Sequence, residues 1–124
     1  MFYSFKNMEA TTALDRLAAL AQETRLALFR LLVQQGPEGL AAGEIGATLA
    51  VPAPTLSFHL AQLERAGLVL SRRAGRSIRY STNFGAVEEL LAYLYENCCQ
   101  GGTTCPPGGA LVTLSGVRKG KNTP

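Results

Sequence analysis

The stretch from Ala41 to Ala66 constrains the fold most, because it holds two short helical patterns joined by a turn of a few residues. Over about Ala41 to Leu49, Ile45 and Leu49 recur at helical spacing. Val51-Pro52-Ala53-Pro54 then breaks the pattern, and "PTLSFHLAQLERA" resumes it until Gly67. Proline is tolerated in a first helical turn, where its missing N–H would have no partner. At about 100° per residue, Leu56, Leu60 and Leu63 fall on one side of the second helix, facing a core. Two helices at this spacing form a helix-turn-helix, whose second helix enters the major groove of DNA.

The flanking sequence supplies the remaining elements. Thr12-Ala13-Leu14-Asp15 reads as a capping-box-like helix start, followed by Leu14, Leu17, Ala18 and Ala21 at helical spacing. A second helix is predicted over about Glu23 to Gln35, with Leu28 and Leu32 on one side and Leu26, Phe29 and Val33 beside them. Gly36-Pro37 stops it. "LVLSRRAGRSIRYST" alternates on both sides of Ala74-Gly75 and predicts a β-hairpin with an arginine-rich tip. A fifth helix is predicted over about Gly85 to Cys99, with Val87, Leu90, Leu91, Leu94 and Cys98 on one stripe. The expected fold is mainly α with a small β-hairpin, a winged helix-turn-helix with an extra helix at each end. Its expected divisions are an N-terminal extension over 1–9, the DNA-binding and dimerisation domain over 10–100, and a weakly ordered tail over 101–124. Met8 is an alternative start.

With 124 residues, 47% of them apolar, the chain has enough material for one core. No apolar run approaches the ~20 residues of a membrane span. "MFYSFKNMEA" lacks the basic start and long apolar middle of a secretory signal. The expected compartment is therefore the cytoplasm, where thiols stay reduced. The net charge of +3 is mild, but Arg65, Arg72, Arg73, Arg76 and Arg79 lie in one stretch without an acidic residue. Such a stripe is suited to phosphates.

On the predicted recognition helix, Thr55, Phe58 and Gln62 fall opposite the leucines, with Ser57 and His59 on the flanks. Hydroxyls and an amide can bond base edges or phosphates, and an apolar ring can touch a thymine methyl. Arg72, Arg73, Arg76 and Arg79 are expected on the flanking backbone or in the minor groove. His59, the single histidine, has no carboxylate at ligand spacing. It is expected to contact DNA from the flank, the alternative being partial burial against the core.

"LAALAQETRLALFRLL" followed by "EIGATLAVPAPTLSFHLAQLERAGLV" closely resembles the ArsR/SmtB family of dimeric metalloregulatory repressors. The matching pieces are Thr24-Arg25-Leu26, the Ser57-Phe58-His59-Leu60 core of the recognition helix, and Leu63 through Gly67-Leu68-Val69. The resemblance spans about residues 10–100. It implies a homodimer formed through the first and fifth helices and a double-stranded operator with inverted repeats. Pro52 stands where the family commonly has a hydroxyl or amide cap, and Phe58 where it often has a basic residue. Many arsenic and cadmium sensors of the family carry a C-x-C pair on the third helix, whereas "GEIGATL" has no cysteine.

All three cysteines instead lie in "NCCQGGTTC", as Cys98, Cys99 and Cys105. Gly101 and Gly102 allow the chain to reverse, bringing Cys105 towards the pair. Three soft thiolates suit a thiophilic ion with three bonds and a lone pair, as in As(III) or Sb(III). Zinc prefers four ligands, and zinc or cadmium completed by water or a carboxylate is the second choice. A methylated trivalent arsenical needs two thiols alone. At a helix C-terminus the macrodipole disfavours an anionic thiolate, and no Lys or Arg stands near in sequence to favour one. The expected function is thus an arsenite-responsive repressor and not an enzyme. The rivals are a thiol-based arsenate reductase, a redox-responsive repressor, and a DNA-binding module without a small-ion effector.

Overall fold

Alanine-rich sequence starts the first helix, α1 (Ala10–Leu20), two residues earlier than expected. In this computed structural model, which describes residues 8–99, Glu9 is the N-cap and makes no side-chain cap bond. Thr12 and Asp15 therefore lie inside the helix and are not its caps. Ala10 is a strong helix former, so the first turn extends back through it. The described chain falls into two compact units, one ending at Leu94 and one starting at Tyr95.

In the first unit, α2 (Glu23–Gln35) has the predicted limits. Gln22 Oε1 accepts from Arg25 N–H at 2.8 Å, satisfying one of the open donors of its first turn. A single 3-10 turn (Gly36–Glu38) leads to β1 (Leu40–Ala41), a two-residue strand too short to leave any periodicity in sequence. It pairs with the strand that follows the hairpin turn, so the expected hairpin is the larger part of a three-stranded antiparallel sheet.

α3 (Ala42–Leu49) begins with half of a capping box: Glu44 Oε1 accepts from Ala41 N–H at 2.9 Å, but Ala41 has no side-chain acceptor to reciprocate. Ala50 closes α3 in the left-handed conformation, φ +56°. α4 (Ala53–Arg65) follows, with Pro52 as an N-cap that makes no side-chain bond. Ile45 on α3 and Leu56, Leu60 and Leu63 on α4 are buried with Leu28 and Leu32 of α2 and with Leu68 and Val69. Each such side chain contributes about 1.5–3 kcal/mol by leaving water, and together they set the angle between α3 and α4.

β2 (Val69–Ala74) and β3 (Ser77–Thr82) form the wing, in register Val69↔Thr82 to Ala74↔Ser77. The turn itself is Gly75-Arg76, one residue later than predicted. Gly75 takes φ +67° at the first loop position, where a two-residue hairpin of the II′ kind requires glycine. α5 (Phe84–Leu94) closes the unit. The architecture is mostly helical with a small antiparallel sheet, as expected.

The predicted fifth helix continued to Cys99, and here the structure differs. α5 ends at Leu94, and in the second unit the residues from Tyr95 to Cys99 are turns. Asn97 (φ +63°) and Cys99 (φ +71°) are left-handed, a conformation no α-helix contains and asparagine tolerates well. Cys98 N–H donates to Tyr95 C=O at 2.9 Å, closing one tight turn. Cys98 therefore does not continue the α5 stripe. Residues 1–7 of the expected extension over 1–9, Cys105 and the tail over 101–124 lie outside the described residues.

Candidate nucleic-acid interface and thiol pair

Packing turns α4 so that His59 joins Leu56, Leu60 and Leu63 on the buried side. The exposed face then runs through Ser57, Phe58, Ala61 and Arg65, with Pro54 and Thr55 at its N-terminal end. Phe58 is 56% exposed, far more than a ring of its size needs to be in a small core. Of the residues expected at the groove, Thr55, Ser57 and Phe58 are on this surface. Gln62 is half-buried instead and lines an open cavity of about 320 Å3 with Asp15, Arg25 and Arg65. Arg65 belonged to the expected basic stretch but not to the expected recognition face. Its place there follows from its position seven residues after Phe58, about 20° away round the helix.

His59 does not sit on the exposed flank where a DNA contact was expected. Only 8% of it is exposed, and its Nδ1 lies 3.2 Å from Arg25 Nη1. A guanidinium can only donate, so Nδ1 accepts and the ring proton sits on Nε2. Burial, and then the nearby Arg25 charge, hold the His59 pKa below its ordinary 6.5. Arg25 also donates from Nε to Ala19 C=O at 2.6 Å, which anchors the pair to the end of α1. The Phe58 ring meets the imidazole edge-on, with centroids 5.4 Å apart. His59 thus supports the exposed ring from beneath, and the alternative of burial is the one observed.

On the wing, Arg72, Arg73 and Arg76 are exposed. Side chains alternate along a strand, so Arg72 and Arg73 project to opposite faces. Arg79 differs from the expectation. It donates to Glu38 C=O at 3.2 Å and to Gly39 C=O at 2.8 Å, and its Nη1 lies 4.0 Å from Glu44 Oε1. The reason is β1: pairing Ala41 with Arg79 brings the guanidinium over the loop before that strand. Arg79 is a latch for the sheet, not an open phosphate ligand. Ser71 Oγ donates to Glu64 Oε2 at 2.7 Å and ties the wing to α4.

The second unit carries two of the expected metalloid ligands. Cys98 is exposed and Cys99 partly buried, with sulfurs 2.8 Å apart. That separation exceeds the ~2.05 Å of a disulfide, so these are two neighbouring, unbridged sulfurs. They follow the last residue of α5 by four and five positions in sequence and lie in turns, not in the last turn of a helix where they were expected. Cys105 is outside the described residues. Among the described residues no group of three His, Cys, Asp or Glu is placed to hold a metal ion, and no helix is long and apolar enough to cross a membrane.

Residues 20–72 match a helix-turn-helix domain family. The chain is 32% identical over 84 residues to the transcriptional activator HlyU of Vibrio cholerae, covering 68% of this chain and 75% of HlyU. A solved structure of HlyU superposes with a TM-score of 0.58 at 32% identity, covering 75% of this chain and 100% of that one. A putative arsenical resistance operon repressor, ArsR, from Halobacterium salinarum is 41% identical over 76 residues, 61% of this chain and 58% of the relative. The homodimeric winged helix-turn-helix DNA-binding domain of a possible ArsR-family regulator from Mycobacterium bovis superposes with a TM-score of 0.55 at 25% identity, over 71% of this chain and 86% of that one.

Proposed function

The chain belongs to the ArsR family of DNA-binding helix-turn-helix transcriptional regulators, and from that premise we propose that it is a homodimeric repressor released from its operator by trivalent arsenic. The relatives compared are transcriptional regulators by name, which favours a regulatory and not a catalytic role for the thiols. In this reading α4 enters the major groove with Thr55, Ser57, Phe58 and Arg65, while Arg72, Arg73 and Arg76 follow the phosphates. Leu14, Leu17, Leu91 and Leu94, all exposed in the single chain, supply the dimer contact between α1 and α5. The two recognition helices then meet an inverted repeat about one helical turn, ~34 Å, apart.

The observation that carries the effector is the Cys98–Cys99 pair, whose sulfurs lie 2.8 Å apart. Two soft sulfurs so close, with Cys105 six residues further on, suit a three-coordinate thiophilic ion better than a hard cation. The same pair alone suits a methylated trivalent arsenical, which has two positions for thiolates. Binding displaces thiol protons, so affinity rises with pH. An ion that favours the non-binding shape of the dimer lowers DNA affinity by the same coupling factor with which DNA lowers the ion's affinity.

The test is fluorescence anisotropy of the reduced full chain on its own promoter DNA, titrated with arsenite, antimonite, methylarsenite, cadmium and zinc. Arsenite should release the DNA, and Cys98→Ser, Cys99→Ser and Cys105→Ser should each abolish release while leaving DNA binding intact. Release of Cys105→Ser by methylarsenite would confine the working site to the pair. Failure of every ion, with release by peroxide, would replace metalloid sensing by thiol oxidation.

A further inference from the structure

α1 turns Leu14, Leu17 and Ala18 to the surface, but Arg16 points into the molecule, with its side chain 13% exposed. Its Nε donates to Ala66 C=O at 3.2 Å, and its Nη1 donates to Ala86 C=O at 3.1 Å and to Glu89 Oε1 at 3.3 Å. Ala66 is the C-cap of α4, while Ala86 and Glu89 belong to α5. One guanidinium therefore joins the end of the recognition helix to the last helix of the unit. The next residue, Gly67, turns the chain at φ +85°, and a Cβ there would lie 3.4 Å from Arg16 Nη2.

The exit from α4 is also held from its other side. Asn83 Nδ2 donates to Gly67 C=O at 2.9 Å, and Asn83 N–H donates to Leu68 C=O at 2.9 Å. The Asn83 side chain in turn accepts from Ala86 N–H at 3.3 Å, in the first turn of α5. The segment 66–68 and the start of α5 are thus one hydrogen-bonded knot with Arg16 across it. The guanidinium addresses the two helices from separate nitrogens, Nε to the end of α4 and Nη1 to α5, whereas an ammonium would have to reach both from a single atom.

We propose that Arg16 is the positioning residue that sets the angle of the recognition helix, locking the C-terminal end of α4 to α5 so that neither moves without the other. It bonds protein acceptors, not the exposed face of α4, so it acts on DNA recognition through Ala66. For its DNA readout the inference rests on the regulator reading above. It also deepens that reading, because α5 is the element that leads into the Cys98–Cys99 turn.

The test uses the full chain with Arg16→Met, Arg16→Lys and Glu89→Gln, in two measurements. Hydrogen exchange on the free protein should show Ala66 and Leu68 amides exchanging at least ~10-fold faster in Arg16→Met, with Leu28 and Leu32 unchanged. Affinity for its own promoter should fall ~10-fold or more, while affinity for a random duplex, set by phosphates, stays within ~2-fold. Arg16→Lys should restore neither, and Glu89→Gln should give a smaller change of the same sign. If Arg16→Met does not fold, Glu89→Gln and Arg16→Lys carry both measurements. A lowered melting temperature with an unchanged promoter-to-random ratio would reduce Arg16 to a structural role and overturn the proposal. If the wild type itself did not prefer its promoter, the regulator reading would fail, and exchange would still decide: wild-type protection at 66–68 in Arg16→Met overturns the coupling, and loss of it sustains the coupling.

Discussion

At the scale of single residues, His59 carries the clearest consequence of burial. Its folded pKa is depressed, so below its ordinary 6.5 the unfolded chain binds more protons than the native one. Stability from the neutral His59–Arg25 contact is complete above 6.5 and is lost as pH falls from there towards the folded value. Urea midpoints measured at about pH 7.5 and about pH 5.5 should drop for the wild type. They should drop less for His59→Asn, whose amide oxygen can stand where Nδ1 accepts without titrating. Equal drops would place the acid sensitivity elsewhere. Ala50 is a second residue-scale case, because its φ of +56° is disfavoured for a residue with a Cβ. Ala50→Gly should stabilise the protein by about 0.5–1 kcal/mol in denaturant titration.

At the scale of elements, the wing divides its arginines by task. If Arg72, Arg73 and Arg76 meet phosphates, each change to alanine should lower the slope of log K against log salt by about 0.9. Arg79→Ala should leave that slope in place and lower the melting temperature instead, because Arg79 is bound to Glu38 and Gly39. The reverse pattern would return Arg79 to the DNA. The strand it latches depends on Gly39, at φ +69°, where a Cβ would run into the Tyr80 carbonyl. Gly39→Ala should therefore cost about 1–3 kcal/mol, measured by thermal unfolding. Smaller loss would mean that β1 can lift away from β3 without consequence.

At the scale of the whole molecule, the exposed leucines on α1 and α5 are the feature a single chain does not explain. Leu14 is 62% exposed and Leu94 53%, and scattered exposure is ordinary, but these fall on the two end helices of the fold. Leu14→Glu combined with Leu94→Glu should give a monomer in sedimentation equilibrium and lose promoter affinity, while circular dichroism keeps the helical signal. A double variant that remained dimeric would move the interface elsewhere.

The sequence alone determined the class of fold, the limits of α2, the helix-turn-helix spacing and the core leucines, because periodicity and Gly/Pro stops are local properties. It also marked Thr55, Ser57, Phe58 and three wing arginines as surface groups of the right chemistry. Tertiary structure decided the rest. It set the rotation of α4 that buries His59 and brings out Arg65, since a rotation of some tens of degrees depends on which neighbours α4 packs against. It formed β1 from two residues that carry no pattern, and β1 in turn removed Arg79 from the expected interface. It drew Arg16 across to Ala66, Ala86 and Glu89, contacts of 50 to 73 residues' separation. No local pattern encodes such distances; the chain has to close on itself before the guanidinium meets its acceptors.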